Sequence, residues 1–260
     1  MNKEEQLQFI KDNYPAYTNH VSKRRIRHDF FKNISIELQA YLLGFYASDG
    51  SADEKRKTMR VCLQQDDSEI VYLFKDTISS DARIYSIPPK EYTGRGGVKI
   101  QGHGAFGVDI TSSVLVQDLV DLGFGYDKSH SELHLPNIDD KLLRHFIRGY
   151  FDGDGCITGG IAREKGKKDR FRKYFQIDAK YSLILLEIQK FFSIYDIQVN
   201  INYIKRDDMY RLVTSSKKEV EKIFHLLYDN SYFYLGRKFN KFSHYVNTED
   251  LQLIAEACNA

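Results

Sequence analysis

The sequence predicts an α+β fold built from two related halves, on three observations. An apolar run ending in a small residue, an acid and a glycine occurs twice, as LLGFYASDG at 42–50 and IRGYFDGDG at 147–155. Each copy opens a stretch in which helical and strand-like patterns follow in the same order. Those patterns mix helices with antiparallel hairpins, which marks α+β rather than an alternating parallel design. The acids Asp49 and Asp154 stand 105 residues apart. That period is far too long for a solenoid and suits duplication of a subdomain.

Composition narrows the class. The 260 residues suffice for one large domain or two ordinary ones. Hydrophobic residues make up 42% and charged ones 28%, which fits a folded chain rather than a disordered one. Net charge is only +2, so any nucleic-acid surface must come from local segregation of charge. Cys62, Cys156 and Cys258 lie far apart with no CxxC pair. This argues against a disulfide framework or a zinc knuckle and suits a reducing cytoplasm. The first residues, MNKEEQLQFIKDNYP, lack the apolar stretch of a secretory signal, and no apolar run reaches membrane-spanning length.

Residues 1–32 read as an N-terminal extension. A helical pattern at Leu7, Phe9 and Ile10 stops before Pro15, and a basic cluster follows at Lys23, Arg24, Arg25, Arg27 and His28. That cluster is either a solvated linker or an arm for phosphate.

Residues 33–136 form the first repeat. Ser35 is the expected N-cap of an apolar helix carrying Ile36, Leu38, Tyr41, Leu42, Phe45 and Tyr46, with Gly50 as its C′ residue. DEKRK at 53–57 reads as a hairpin tip, and MRVCLQQ at 59–65 as a strand with Val61, Leu63 and Gln65 on one face. A helix from Ser68, strands at 82–89 and within 98–113, and a helix over 113–123 complete it.

Residues 137–246 repeat the order, and 247–260 form a tail. Asp139 caps the second apolar helix, which carries Leu142, Leu143, Phe146, Ile147, Tyr150 and Phe151. A basic hairpin at 159–173, a strand at 174–179, a helix at 182–192, strands at 197–204 and 209–216 and a helix at 217–229 follow.

The spacing inside the two motifs carries geometry. Gly44 and Ser48 are four apart, as are Gly149 and Gly153. Positions i and i+4 share a helix face. Small residues there let two helix backbones approach closely. If the helices pack in parallel, Asp49 and Asp154 meet at their C-terminal ends. Two adjacent carboxylates repel and desolvate one another, and a hard divalent cation relieves both effects. The free carbonyls of Ser48 and Gly153 would add to its ligands. A cation so placed supports phosphodiester hydrolysis. A calcium loop at DGDG, 152–155, is disfavoured, because Cys156, Ile157 and Gly160 supply no carboxylates.

These residues resemble the LAGLIDADG homing endonucleases of the single-chain type with two motifs. Gly44, Asp49 and Gly50 match in the first motif, and Gly149, Asp152, Asp154 and Gly155 in the second. Ala47 departs from the acid common at the sixth place. GFGYDKS at 123–129 and YLGRKFNKF at 234–242 look like the ends of the family's two repeats, each bearing an active-site lysine, here Lys128 and Lys238. Gln65 falls where the family often has a water-ordering residue, and its counterpart is expected near Ala179, beside Lys180. The resemblance covers roughly 33–245. It implies a pseudo-twofold αββαββα pair forming a saddle over double-stranded DNA, and a monomer. It also implies two or three Mg²⁺ ions, replaceable by Mn²⁺ or Ca²⁺, and staggered cleavage across the minor groove.

The expected DNA surface follows from charge and alternation. Segment 159–173 holds Arg163, Lys165, Lys167, Lys168, Arg170, Arg172 and Lys173 against two acids. Outward positions on the strands are Arg60 and Gln64, then Arg172, Tyr174 and Gln176, then Gln198, Asn200 and Asn202, opposite inward Val199, Ile201 and Tyr203. Arg, Asn and Gln are the side chains that read base edges, and lysines mainly hold phosphates. A non-cleaving relative, such as an intron RNA maturase or a DNA-binding regulator, is the alternative. An intein is disfavoured, since the chain ends CNA without a terminal His-Asn. A bacterial or phage-encoded protein acting at the nucleoid is expected.

Overall fold

The computed structural model describes residues 1–20, 22–93, 97–162 and 170–247. The helix α1 (Lys3–Asn13) opens the chain, held by a capping box between Asn2 and Glu5. A short ribbon of β1 (Tyr17–Thr18) and β2 (Arg25–Ile26) follows. Residues 1–32 are not an appendage, because Ile10, Ile26, Phe30 and Phe31 are buried in the common core. Part of their basic cluster serves the protein itself. Arg27 donates to the Thr77 carbonyl, His28 meets the Ser112 hydroxyl, and the Arg25 amide binds Asp81.

The first repeat runs α2 (Glu37–Asp49), β3 (Gly50–Asp53), β4 (Thr58–Gln64), α3 (Ser68–Ile78), β5 (Ile84–Ile87), β6 (Glu91–Thr93), β7 (Lys99–Gln101), β8 (Ala105–Thr111) and α4 (Ser113–Asp121). The second runs α5 (Asp140–Asp154), β9 (Gly155–Ala162), β10 (Arg170–Ala179), α6 (Leu183–Ile194), β11 (Asn200–Ile204), β12 (Met209–Thr214), α7 (Lys217–Tyr228) and α8 (Gly236–Asn247). Each repeat builds a four-stranded antiparallel sheet, ordered β3-β4-β8-β5 in one and β9-β10-β12-β11 in the other. Taken in chain order, both sheets run first, second, fourth, third. The β6–β7 ribbon is an insertion in the first repeat alone. No described helix is long and apolar enough to cross a membrane.

Burial explains the faces. Met59, Val61, Leu63, Val108 and Ile110 turn one side of the first sheet toward Ile70, Val71, Phe74, Leu115 and Leu119. Phe175, Ile177 and Leu212 do the same beneath Ile184, Ile188 and Ile223, with the Phe151 ring stacked 4.6 Å from Phe175. The helices therefore cover one face of each sheet, and the other face is left polar. Tyr203 departs from the expected pattern. It is exposed, and its hydroxyl donates to Asp208 at the adjoining turn.

The central helices pack backbone to backbone. A β-carbon on Gly44 would lie 1.9 Å from the Phe146 carbonyl oxygen, and one on Gly149 2.1 Å from that of Tyr41. Nothing larger than hydrogen fits at either point. The cap of α2 differs from expectation. Ile36 stands at the cap, and Ser35 donates its amide and hydroxyl to Gln39. The free amide of Leu38 is instead satisfied by Gln6 of α1. Gly50 and Gly155 are extended rather than left-handed, with φ of −75° and −79°. They are glycines because a β-carbon would lie 2.0 Å from the Tyr46 and Phe151 rings respectively. Helix thus passes straight into strand, and each acid is the last helical residue.

A buried ionic knot joins the repeats between the start of α2 and the second half of α5. Arg148 is 0% exposed and donates to Glu37 at 2.8 Å, to the Phe233 and Leu227 carbonyls and to Ser231. Glu37 also accepts from the Tyr232 amide and from Gln6.

Candidate active site

Parallel packing of α2 and α5 brings the two motif acids together. A β-carbon on Gly153 would lie 2.5 Å from the Asp49 carboxylate, so the peptide preceding Asp154 adjoins Asp49. Both carboxylates reach solvent, yet protein atoms crowd them. Desolvation raises Asp49, opposed by Lys238 and Lys128. Asp154 is raised to about 6, first by desolvation and then by the neighbouring Asp49. This is the behaviour expected of two carboxylates forced into one site.

Two buried lysines flank the pair. Lys128 lies in the short 3₁₀ turn Lys128–His130, which Asp127 enters in the left-handed conformation. Its ammonium donates to the carbonyls of Ala47 and Ser48 at 2.8 and 2.7 Å. Lys238, on α8, donates to those of Phe151, Gly153 and Gly155 at 2.9, 2.7 and 2.6 Å. Each lysine therefore caps the C-terminal end of its own repeat's motif helix, where the negative dipole end favours a cation. Burial pushes Lys128 down to about 8 and lowers Lys238 as well. The Ser48 and Gly153 carbonyls, expected as metal ligands, each accept from an ammonium group, which takes one of their two lone pairs. Lys128 and Lys238 themselves point at backbone carbonyls rather than into solvent.

The donor set still fits a hard cation. Among the described residues no cluster of three or more His, Cys, Asp or Glu side chains forms a closed cage. Two adjacent carboxylates with open surroundings are what Mg²⁺ uses, since it keeps several waters and takes substrate oxygens as further ligands.

Asp152 has a different task from Asp154. It is 1% exposed and accepts from the hydroxyls of Tyr41 and Tyr228 and from the Leu235 amide, at 3.0, 2.7 and 2.8 Å. Leu235 immediately precedes α8, so Asp152 anchors the helix that presents Lys238. The first repeat has Ala47 at this place, and there Lys128 is presented from a turn rather than a helix.

The remaining expected residues are scattered over the polar sheet faces. Gln65 begins the 3₁₀ turn Gln65–Asp67, exposed, with its amide bound to Gly104. Its counterpart is not Ala179. Gly50 pairs with Val61 and Gly155 with Ile177, so Gln64 and Gln65 correspond to Lys180 and Tyr181. The hairpin of the second repeat is longer, which moved the alignment by two residues. Ala179 is buried in the core. Arg60 is held two-pronged on Asp109 at 2.9 and 2.8 Å, with both side chains partly exposed. Arg211 and Asp178 form the same pair in the second sheet, both contacts at 2.7 Å. Gln64, Gln198, Asn200 and Asn202 are exposed, while Arg172, Tyr174 and Gln176 are half-buried on β10. Arg163, Lys165, Lys167 and Lys168 lie outside the described residues, and Arg170 is described only as part of β10.

Sequence reading missed the clasp in which Arg237 of α8 grips Asp67 and the Gly236 amide donates to Glu69. A signal was available: Asp66, Asp67 and Glu69 crowd the start of α3, and an acidic N-terminal turn invites a basic partner.

Residues 147–248 match the family model described as LAGLIDADG endonuclease. No curated protein matches the chain at a significant level. Among solved structures, I-SmaMI, a LAGLIDADG homing endonuclease bound to cleaved DNA, is 13% identical with a TM-score of 0.56, over 87% of this chain and 97% of that one. The LAGLIDADG meganuclease I-AabMI bound to uncleaved DNA is 14% identical with a TM-score of 0.56, over 84% and 92%. I-SmaMI bound to an uncleaved target in the presence of calcium ions is 11% identical, with a TM-score of 0.55 over 87% and 98%. At these identities the likeness is one of fold, and it spans both repeats. The second repeat thus matches the LAGLIDADG endonuclease model, and the whole chain, with its two repeats in a single polypeptide, shares the fold of these meganucleases.

Proposed function

We propose that this chain is a monomeric, site-specific endonuclease that hydrolyses both strands of a double-stranded DNA target and leaves a staggered cut. The observation that carries the proposal is the convergence of Asp49 and Asp154 at the ends of two interlocked helices, with Lys128 and Lys238 behind them. Its relatives in fold are crystallised on DNA, one of them on cleaved DNA and one with calcium ions.

Asp49 and Asp154 would hold two or three divalent cations, Mg²⁺ foremost, which lower the pKa of a water and offset charge gathering on the phosphate. The chain's own residues do the rest. The glycine contacts between α2 and α5 fix the separation of the two acids, so the two scissile phosphates lie close together across a minor groove. Lys128 and Lys238 lock the helix ends and lend positive potential beneath the phosphates. Gln65 orders water in the first half. Gln64, Gln176, Asn200 and Asn202, with Arg172 and Tyr174, present hydrogen-bonding groups to the DNA. Lysines of the 159–173 segment hold its backbone.

The test uses a duplex recovered from a randomised library by wild-type cleavage in Mg²⁺. Asp49→Asn and Asp154→Asn should each retain binding in gel shift and lose double-strand cleavage. Full cutting by either variant would refute the assignment. If the wild type bound members of the library and cut none of them, the non-cleaving reading would be favoured instead.

A further inference from the structure

We infer that Lys180 is a phosphate-holding residue of the Asp154 half-site alone, so that the strand held there is cut first. The inference rests on the endonuclease reading above and adds an order to it.

Strand pairing places Lys180 where the first repeat has the neutral Gln64. Lys180 lines a cleft of about 310 Å³ together with Asp154, Lys128, Asp178 and Tyr181. Its side chain is 48% exposed, and the ammonium rests on Asp208, whose side chain is 67% exposed. Asp208 sits in the β11–β12 turn in the left-handed conformation, so the tether is fixed at one end. An exposed pair of this kind holds weakly and yields to a stronger anion. A DNA phosphate entering the cleft is such an anion, and a lysine serves it as a mobile point charge. The other acid in the cleft wall, Asp178, is already neutralised by Arg211. Tyr181 closes the wall by donating to the His130 carbonyl at 3.3 Å.

At the equivalent strand position the Asp49 side carries no cation among the described residues. Gln64 and Gln65 are uncharged, and Arg237 is held two-pronged by Asp67, a carboxylate only 11% exposed. A buried, bidentate partner does not release its arginine as a water-exposed aspartate releases a lysine. At this strand position the two half-sites therefore differ by one cation.

The experiment follows each strand of the selected duplex separately by end-labelling, at low salt in Mg²⁺. Wild type should accumulate a nick in one strand. Lys180→Gln should slow that strand by about tenfold, the scale of one charge-assisted contact, and leave the other nearly unchanged. Lys180→Arg should restore the order, and Asp208→Asn should preserve it. Equal slowing of both strands, or an unchanged order in Lys180→Gln, overturns the inference while leaving the endonuclease reading intact. Failure of the wild type to cleave any library member rejects that reading and the inference with it. Because Lys180 is exposed, Lys180→Gln should melt at the wild-type temperature, and a normal melt excludes misfolding as the cause of slow cutting.

Discussion

Gly153 and Ser48 touch across the two central helices, so closely that a β-carbon on Gly153 would stand 1.8 Å from the Ser48 hydroxyl oxygen. That oxygen donates to the Phe45 carbonyl and lies 3.3 Å from the Asp49 carboxylate. Interface packing and site geometry are therefore one arrangement. Gly153→Ala is expected to cost about 1–3 kcal/mol, the usual range for overpacking. It should also lower cleavage by displacing Asp49. Adding Ser48→Gly should recover much of both losses. Urea titration with parallel cleavage assays checks this, and a double variant no better than the single one would contradict it.

The Glu37–Arg148 knot predicts a stability effect without a catalytic one. Arg148→Met leaves the Glu37 carboxylate buried without its cation. Removing one partner of a buried pair typically costs about 3–5 kcal/mol. Denaturant unfolding should show that loss, while the small fraction that remains folded at low temperature should still cut DNA in Mg²⁺.

The two capping lysines should not be equal. Lys238 satisfies three carbonyls and Lys128 two. Each hydrogen bond lost from an ammonium group to a buried carbonyl costs about 1.5–3 kcal/mol. Lys238→Met is therefore expected to lower the melting temperature more than Lys128→Met. The reverse order, measured by calorimetry, would count against the capping role.

Asp154 sets a pH dependence. Its folded-state value of about 6 lies above the unfolded value. The folded protein thus binds more protons than the unfolded one across roughly pH 4 to 6, and stability falls as pH rises through that window. Without divalent cation, the wild type should be less stable at pH 7 than at pH 5 relative to Asp154→Asn, which lacks this contribution. Cleavage should show the opposite trend, declining in acid, because the carboxylate must be ionised to hold the cation.

Divalent cations should reverse the cost at neutral pH. A ligand that binds only the folded state at a hundred times its Kd adds about 2.7 kcal/mol. The melting temperature should rise with Mg²⁺ or Ca²⁺ in the wild type and hardly move in Asp49→Asn or Asp154→Asn. An equal rise in all three would place the cation elsewhere.

Much of this was legible in the sequence. The duplicated motif, the i, i+4 small residues and the alternation of β4 and β10 fixed the two repeats and brought Asp49 to Asp154. What stayed hidden depended on long-range partners. Arg60 looks free in sequence, and only the pairing of β4 with β8 reveals Asp109 opposite it. Lys128 and Lys238 were found as positions, but their targets are backbone carbonyls, which no side-chain pattern announces. The N-terminal residues read as an extension because Gln6 caps a helix 32 positions away in the chain. Tyr181 was missed by two places because hairpin length is invisible until strands pair.

The Glu37–Arg148 pair also bears on how such a chain can evolve. By the offset of 105 that relates the motifs, the counterpart of Glu37 is Leu142 and that of Arg148 is Leu43. A homodimer of the second repeat would bury two arginines without their Glu37 partner, and one of the first repeat two Glu37 carboxylates without Arg148. Gene fusion here has become a ratchet: once the halves divided that charge between them, neither can return to life as a symmetric pair. An isolated second repeat is accordingly expected to fail to dimerise in sedimentation analysis, and exchanging halves with a related protein should succeed only when the matching charge travels with them.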